Sequence, residues 1–125
     1  MGVDIDDLHD RGHSIHANWW QWRPTVELIR SLGLFDNERL DRLSNGFGEF
    51  TAAEARQLAT AIEEQVLPAI QPGEQVLLDG VVTATVDDGA FHRDPEEQRR
   101  NFSADYSWLQ RFVMFCKESG GLYVC

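Results

Sequence analysis

Three histidines near the start of the chain are spaced in a way that could hold a metal ion. His9, His13 and His16 lie four and three positions apart, so on a helix their imidazoles would share one face. Three imidazoles with one open position form the kind of zinc site that turns a bound water into a nucleophile near neutral pH. Asp6 and Asp10 are close enough in sequence to serve as further ligands or as hydrogen-bond partners. The spacing suggests a small metal-dependent hydrolase as one hypothesis.

The metal hypothesis depends on a helix in this region, and the sequence also contains evidence against one. Gly12 lies inside the spacing and costs a helix interior about 1 kcal/mol relative to alanine. In a strand, His13 and His16 would point to opposite faces of the sheet. The alternative interpretation is that the three histidines are exposed polar side chains on an arm of the chain.

The two cysteines indicate no catalytic role. Cys116 falls on the apolar side of a predicted helix, where a thiol behaves as a small hydrophobic group. Cys125 is the last residue, and no histidine is near either cysteine in sequence. The chain has no phosphate-binding loop, dinucleotide fingerprint or nucleophile elbow. We therefore expect no cofactor.

The stretch HANWWQWRP at residues 16–24 holds three of the four tryptophans in the chain. On a predicted strand over residues 13–22, Trp20 and Trp22 would face one side and Trp19 the other. One interpretation is that the indoles pack in the core against the aromatic side of the last helix. The other is that Trp19 is exposed beside Arg23, a pair of the kind that dominates protein interfaces. The sequence offers these four side chains as candidate binding residues.

Short-range signals predict the elements that must position these side chains. The N-cap at Asp36, the capping box of Thr51 and Glu54, the cap at Ser103 and the apolar spacings predict helices at residues 24–32 and 37–43, from Thr51 to a bend at Pro68, and at 103–118. The stretch GFGEF at residues 46–50 is interpreted as a loop. β-Favouring runs predict a strand at 13–22, a hairpin at 75–86 turning at Asp79-Gly80, and a terminal strand at 122–125.

These elements predict a single α+β domain over residues 1–125. We expect three to four helices on one side of a small sheet, which the N-terminal strand, the 75–86 hairpin and the C-terminal strand would form. Residues 1–12 are interpreted as a solvated arm or a short first strand. Residues 87–101 are highly charged and are interpreted as a mobile loop.

The charge balance limits the classes of partner. Eleven Lys and Arg against twenty-one Asp and Glu give a formal net charge of −10. Such a chain repels nucleic-acid phosphates and anionic lipid, and it favours a basic protein as its partner. Solubility alone is the alternative explanation of the charge. The opening residues MGVDIDD carry no basic or apolar signal, and no apolar run reaches the roughly 18 residues of a membrane span, so we expect a cytoplasmic protein.

The two ends of the chain together carry a resemblance. The stretch NWWQWRP near the start and LQRFVMFCKESGGLYVC at the end resemble a group of small uncharacterised bacterial proteins. Members of this group pair a W-W-x-W-R-P stretch with an aromatic helix that ends in Ser-Gly-Gly. The resemblance implies a bacterial origin and a unit formed by both ends, and it implies no activity.

Three hypotheses follow for the function. The first is a non-enzymatic acidic interaction protein that binds a basic protein, as immunity proteins, antitoxins and inhibitors do. The second is the metal-dependent hydrolase using His9, His13 and His16. The third is a structural or regulatory subunit of a larger assembly, which could self-associate through a sheet edge.

Overall fold

Four helices and seven strands make up the part of the chain that the computed structural model describes, residues 2–10, 12–77, 80–84 and 102–125. The helices are α1 (Trp19–Ser31), α2 (Asn37–Ser44), α3 (Ala52–Gln65) and α4 (Tyr106–Glu118), with a short 3-10 helix at Leu67–Ala69. The strands are β1 (Gly2–Asp7), β2 (Ser14–Asn18), β3 (Gly48–Thr51), β4 (Glu74–Leu77), β5 (Val82–Ala84), β6 (Ser103–Asp105) and β7 (Gly121–Val124).

The strands form two antiparallel sheets, and the fold is α+β as the sequence predicts. One sheet has the order β2-β1-β7-β3, and the other has the order β5-β4-β6. The predicted hairpin forms between β4 and β5, but it pairs with β6 and not with the terminal strands. The single predicted sheet is therefore two sheets. The C-terminal strand instead pairs with β1 on one side and with β3 on the other, and β3 was expected to be loop.

The start of the chain is a strand, which is one of the two alternatives that the sequence leaves open. Strand β1 lies inside the four-stranded sheet between β2 and β7. Its side chains alternate, because Val3 and Ile5 are buried whereas Asp4 is exposed and Asp6 is partly exposed. Asp4 and Asp6 therefore lie on one face of the sheet, whereas Asp7 is buried on the other.

The tryptophan stretch is helical, and the predicted strand over residues 13–22 is wrong from Trp19 onward. Asn18 caps α1 by accepting a hydrogen bond from the backbone N–H of Gln21, whose side chain bonds the Asn18 N–H in return. This reciprocal cap begins the helix before Pro24, which lies inside α1 instead of at its first position. The free energy contributed by this cap and by tertiary packing outweighs the preference of tryptophan for strands.

The other helix boundaries follow their caps, with one shift. Thr51 and Glu54 form the predicted capping box of α3, and Asp36 caps α2. Helix α4 begins after Asp105, which accepts from the Trp108 N–H, whereas Ser103 lies in β6. The predicted mobile loop at 87–101 and the turn residue Asp79 lie outside the described residues.

One core joins the helices to the inner face of the four-stranded sheet. Its largest fully buried side chains include Trp22, Trp108, Phe50 and Phe112. Its buried polar groups are paired, since the indole N–H of Trp108 donates to the hydroxyl of Thr25, which itself donates to a carbonyl of the preceding helical turn. None of the described helices has the length and apolar character that crossing a bilayer requires.

Candidate functional site

Two of the three clustered tryptophans serve the core. Trp22 is fully buried, and its indole N–H donates to the carbonyl of Leu43 at 2.7 Å. Trp19 is half-buried against the core and lies beside Gly46, where an added Cβ would approach the indole ring to 2.8 Å. The candidate binding residues Trp19 and Trp22 thus hold α1 against the end of α2 and the turn that follows it.

Trp20 and Arg23 form a partly exposed patch on α1. They are three positions apart on a helix and so share a face, whereas the predicted strand would have placed Trp19 beside Arg23. The ring of Trp20, which is 40% exposed, lies 4.6 Å from that of Phe102. The guanidinium of Arg23 lies 5.9 Å from the same Phe102 ring. A binding role for Trp20 and Arg23 stays a prediction.

The three histidines do not share the helical face that the metal hypothesis requires. His9 is exposed in the connection after β1, His13 is half-buried just before β2, and His16 lies on β2. The reason is that the pairing of β1 with β2 makes this region a strand–turn–strand unit. In the described ranges, no group of three or more His, Cys, Asp or Glu side chains is placed to hold a metal ion. The three-histidine site gains no support from the geometry.

His13 instead belongs to a structural cluster around Asp7. One carboxylate oxygen of this buried aspartate lies 3.0 Å from His13 Nδ1, and the other accepts from the backbone N–H groups of His9 and Gly120. These hydrogen bonds, led by that of His13, lower the pKa of Asp7 to about 2. The imidazole also lies 4.4 Å from the ring of Phe115. The cluster joins the β1–β2 connection to the segment after α4.

A second candidate surface is the side of the four-stranded sheet that faces away from the core. We call it the outer sheet face. Strands β1, β2, β3 and β7 all contribute polar side chains to this face. They include Asp4, Asp6, Ser14, His16, Glu49 and Tyr123. The alternate residues of the same strands, such as Ile5 and Leu122, are buried under the helices. No described element covers the outer sheet face.

The register of the sheet places an exposed tyrosine between two carboxylates. Tyr123 of β7 is paired with Asp6 of β1 on one side and with Glu49 of β3 on the other. Directly paired residues on neighbouring strands point to the same side and have Cβ atoms about 5 Å apart. Tyr123 is 40% exposed, whereas the other residues of β7 are buried. The three side chains form a row across three strands.

The outer sheet face carries a negative potential. Asp4 pairs with His16 at 2.9 Å, but within the described ranges the carboxylates of Asp6 and Glu49 have no ion-pair or hydrogen-bond partner. The four strands of this sheet contain no lysine or arginine. The exposed thiol of Cys125, which follows β7 directly, has a pKa raised first by desolvation and then by the negative charges of Asp6 and Asp4. The pKa of this thiol is therefore sensitive to the negative charge of the outer sheet face.

Sequence reasoning missed this face although part of its signal was present. The segment Val3–Asp6 alternates apolar and acidic side chains, which is the pattern of a strand with one buried side. The pairing of β1 with β7 was not visible, since it joins residues more than a hundred positions apart. Without that pairing, Tyr123 could not be placed beside Asp6.

Comparison of the chain with protein-family models, with curated proteins and with solved structures gives no match. The candidate function therefore rests on the geometry and charge of the outer sheet face.

Proposed function

We propose that this protein is a non-enzymatic interaction module that binds a basic protein through the outer sheet face. The observation that carries the proposal is the row of Asp6, Tyr123 and Glu49, which no described element covers, on a sheet whose strands hold no lysine or arginine. The class that fits is an acidic binder of the immunity, antitoxin or inhibitor type. Nucleic acid is not the proposed partner, because its phosphates would be repelled.

The charge of the whole chain supports this choice of partner. A formal net charge of −10 attracts a positively charged protein over a distance and speeds its association at low salt. The same charge opposes the docking of a second copy of this chain on the outer sheet face, where carboxylate would meet carboxylate. A basic partner is thus favoured over self-association through this surface.

The construction of the face also suits binding. Its two inner strands, β1 and β7, are each paired with a strand on both sides. Because the backbone is already held in this way, little conformational freedom is lost when a partner binds. Tyrosine is one of the residue types that most often dominate interface energies, since it buries a large rigid ring and keeps a polar tip. Tyr123 lies near the middle of the face, where such a residue would be most fully desolvated.

The proposed setting is the cytoplasm. The described thiols of Cys116 and Cys125 are free, which fits a reducing compartment. A protein that neutralises a basic enzyme inside the cell would act in this setting.

The test begins with photo-crosslinking in cells that make the protein naturally. A photoreactive phenylalanine analogue replaces Tyr123, and in a control protein it replaces Glu64, an exposed residue on α3. The crosslinked protein is identified and purified, and its Kd is measured for wild type, for Tyr123→Ala and for the double variant Asp6→Asn/Glu49→Gln. The matched control is Glu38→Gln/Glu64→Gln, which removes the same charge from exposed positions on α2 and α3.

The proposal expects a basic protein that crosslinks from position 123 and not from position 64. Its Kd should rise at least about tenfold with each face variant, change less than threefold with the control, and rise with salt. The proposal is overturned by the absence of any position-123 crosslink, by an acidic partner, or by equal Kd values for the face variants and the control.

A further inference from the structure

We infer that the outer sheet face recognises an arginine side chain of its partner, with the guanidinium over the ring of Tyr123 and between the carboxylates of Asp6 and Glu49. The inference rests on the proposed function and names the chemical group that the face selects. It distinguishes arginine from lysine, which carries the same charge.

The spacing of the row fits a guanidinium. Asp6 and Glu49 lie on the two strands that flank β7, so about 10 Å separates their backbones, and Tyr123 lies on the strand between them. Both carboxylates lack a partner within the described part of the chain, so neither must give up an ion pair to bind a cation. A cation above the ring would meet acceptors on two sides.

Arginine matches this arrangement better than lysine does. The guanidinium is planar, stacks on an aromatic ring, and presents N–H donors along its edges toward carboxylates on either side. The ammonium of lysine is a compact and strongly hydrated charge that directs its donors around a single point. An aromatic ring flanked by two carboxylates therefore favours arginine over lysine by geometry and by the weaker hydration of the guanidinium, since the two side chains carry the same charge.

The chain itself contains an arginine held in this manner. The guanidinium of Arg39 lies 4.9 Å from the ring centre of Phe35 and 4.6 Å from that of Phe50. The same group makes a two-pronged hydrogen bond with the carboxylate of Glu54. Aromatic rings and a carboxylate thus hold an arginine elsewhere in this molecule.

Arg39 also helps to position the proposed site. Its Nη2 donates to the backbone carbonyl of Glu49 at 2.6 Å, which fixes the middle of β3. The inward-facing neighbour of Glu49 is Phe50, which is buried. With its backbone held on both counts, Glu49 keeps its side chain on the outer sheet face beside Tyr123.

The experiment titrates 15N-labelled protein with two blocked peptides, acetyl-Gly-Arg-Gly-Arg-Gly-amide and its lysine counterpart. Amide shift changes locate each peptide, and the concentration dependence gives each Kd. The variants are Tyr123→Phe, which keeps the ring, and Tyr123→Leu, which removes it at similar apolar size. Glu38→Gln/Glu64→Gln is the charge-matched control.

We expect the arginine peptide to shift the amides of Asp6, Glu49 and Tyr123 and to bind at least about fivefold more tightly than the lysine peptide. Tyr123→Phe should keep this ratio of the two Kd values, and Tyr123→Leu should bring the ratio close to one. The amide spectrum of Tyr123→Leu should remain that of a folded protein. The control should leave the ratio unchanged.

Equal affinities of the two peptides at this face overturn the arginine inference. The proposed function would then be supported by charge complementarity alone. Arginine preference that persists in Tyr123→Leu also overturns it, because the ring would then have no part in the selection. Binding of both peptides only at other surfaces overturns it as well, and the crosslinking experiment then judges the proposed function by itself.

Discussion

The carboxylate of Asp7 accepts a hydrogen bond from the backbone N–H of Gly120 at 3.1 Å, which joins the first strand of the chain to the segment that follows its last helix. The same side chain also bonds the backbone N–H of His9 and the imidazole of His13. Since Asp7 is buried, this single group satisfies several donors that would otherwise lack partners. The contact stabilises the sheet that carries the outer face.

Removal of the Asp7 carboxylate should destabilise the fold. Asp7→Ala leaves two backbone N–H groups without their acceptor, and we expect a loss of about 2–3 kcal/mol in the free energy of unfolding. Asp7→Asn keeps a side-chain acceptor and should lose less. Urea denaturation followed by circular dichroism measures both losses. The exposed Glu64→Ala should stay within about 0.5 kcal/mol of wild type, and an equally small effect of Asp7→Ala would contradict the assigned role.

The contribution of Asp7 should also depend on pH. The pKa of Asp7 is lowered from 3.8 in the unfolded chain to about 2 in the folded protein. The carboxylate therefore stabilises the folded state at every pH at which it would also be ionised in the unfolded chain. This stabilisation is fully present above about pH 4 and is lost as the pH falls toward 2. The difference in unfolding free energy between wild type and Asp7→Asn should therefore shrink from pH 5 to pH 2. A difference that is constant or grows over this range would show that the aspartate does not titrate in this way.

Substitution of Trp22 should destabilise the fold much more than substitution of Trp20. Trp22→Ala removes a fully buried indole and its bond to the Leu43 carbonyl, and it should cost about 4 kcal/mol. Trp20→Ala removes a ring that is 40% exposed and should cost about 1 kcal/mol. Denaturant midpoints from circular dichroism give both values. Similar losses for the two variants would mean that the helical assignment of this stretch is wrong.

Gly46 should be far less tolerant of a side chain than Gly33. Both have positive φ, so alanine at either position adds strain of about 1 kcal/mol. An added Cβ at Gly33 meets nothing within 4 Å, whereas one at Gly46 would lie 2.8 Å from the Trp19 ring. We expect Gly46→Ala to cost about 2–3 kcal/mol, measured by urea denaturation. The excess over Gly33→Ala should fall when Trp19→Ala is introduced as well, and an undiminished excess would argue against the contact.

Thiol chemistry should report the field of the outer sheet face. Cys116 is fully buried and its pKa is raised by that burial, so only Cys125 should react with Ellman's reagent in the folded protein. Asp6→Asn removes one of the negative charges that raise the pKa of Cys125, and it should lower this pKa and speed the reaction. The pH dependence of the rate measures the shift. Glu64→Gln is the control, and equal profiles for all three proteins would remove the evidence for a negative field.

Local signals in the sequence were sufficient for much of the architecture. The capping box at Thr51 and Glu54 and the cap at Asp36 predict helix starts correctly, because each depends on contacts within one turn. The α+β class follows from such elements. The strand predicted over the tryptophans is wrong because Asn18 and Gln21 form an equally local cap that begins a helix at Trp19.

The candidate site could be predicted much less well. The histidine spacing suggested a metal site on a helix, but β1 and β2 pair instead, and His13 and His16 each bond an aspartate of the neighbouring strand. Which tryptophan is buried depended on the phase of α1, which in turn depended on where that helix begins. A residue-type pattern alone carries no information on such phases.

The sequence by itself determined the negative charge of the chain, the alternation of Val3 to Asp6 and most helix starts, since these depend on composition and on short-range contacts. Only the tertiary structure decided that β7 lies between β1 and β3 and that Tyr123 therefore stands between Asp6 and Glu49. The reason is physical. Strand partners are selected by burial and hydrogen bonding over the whole chain, and a shift of one residue in register would have turned Tyr123 into the core.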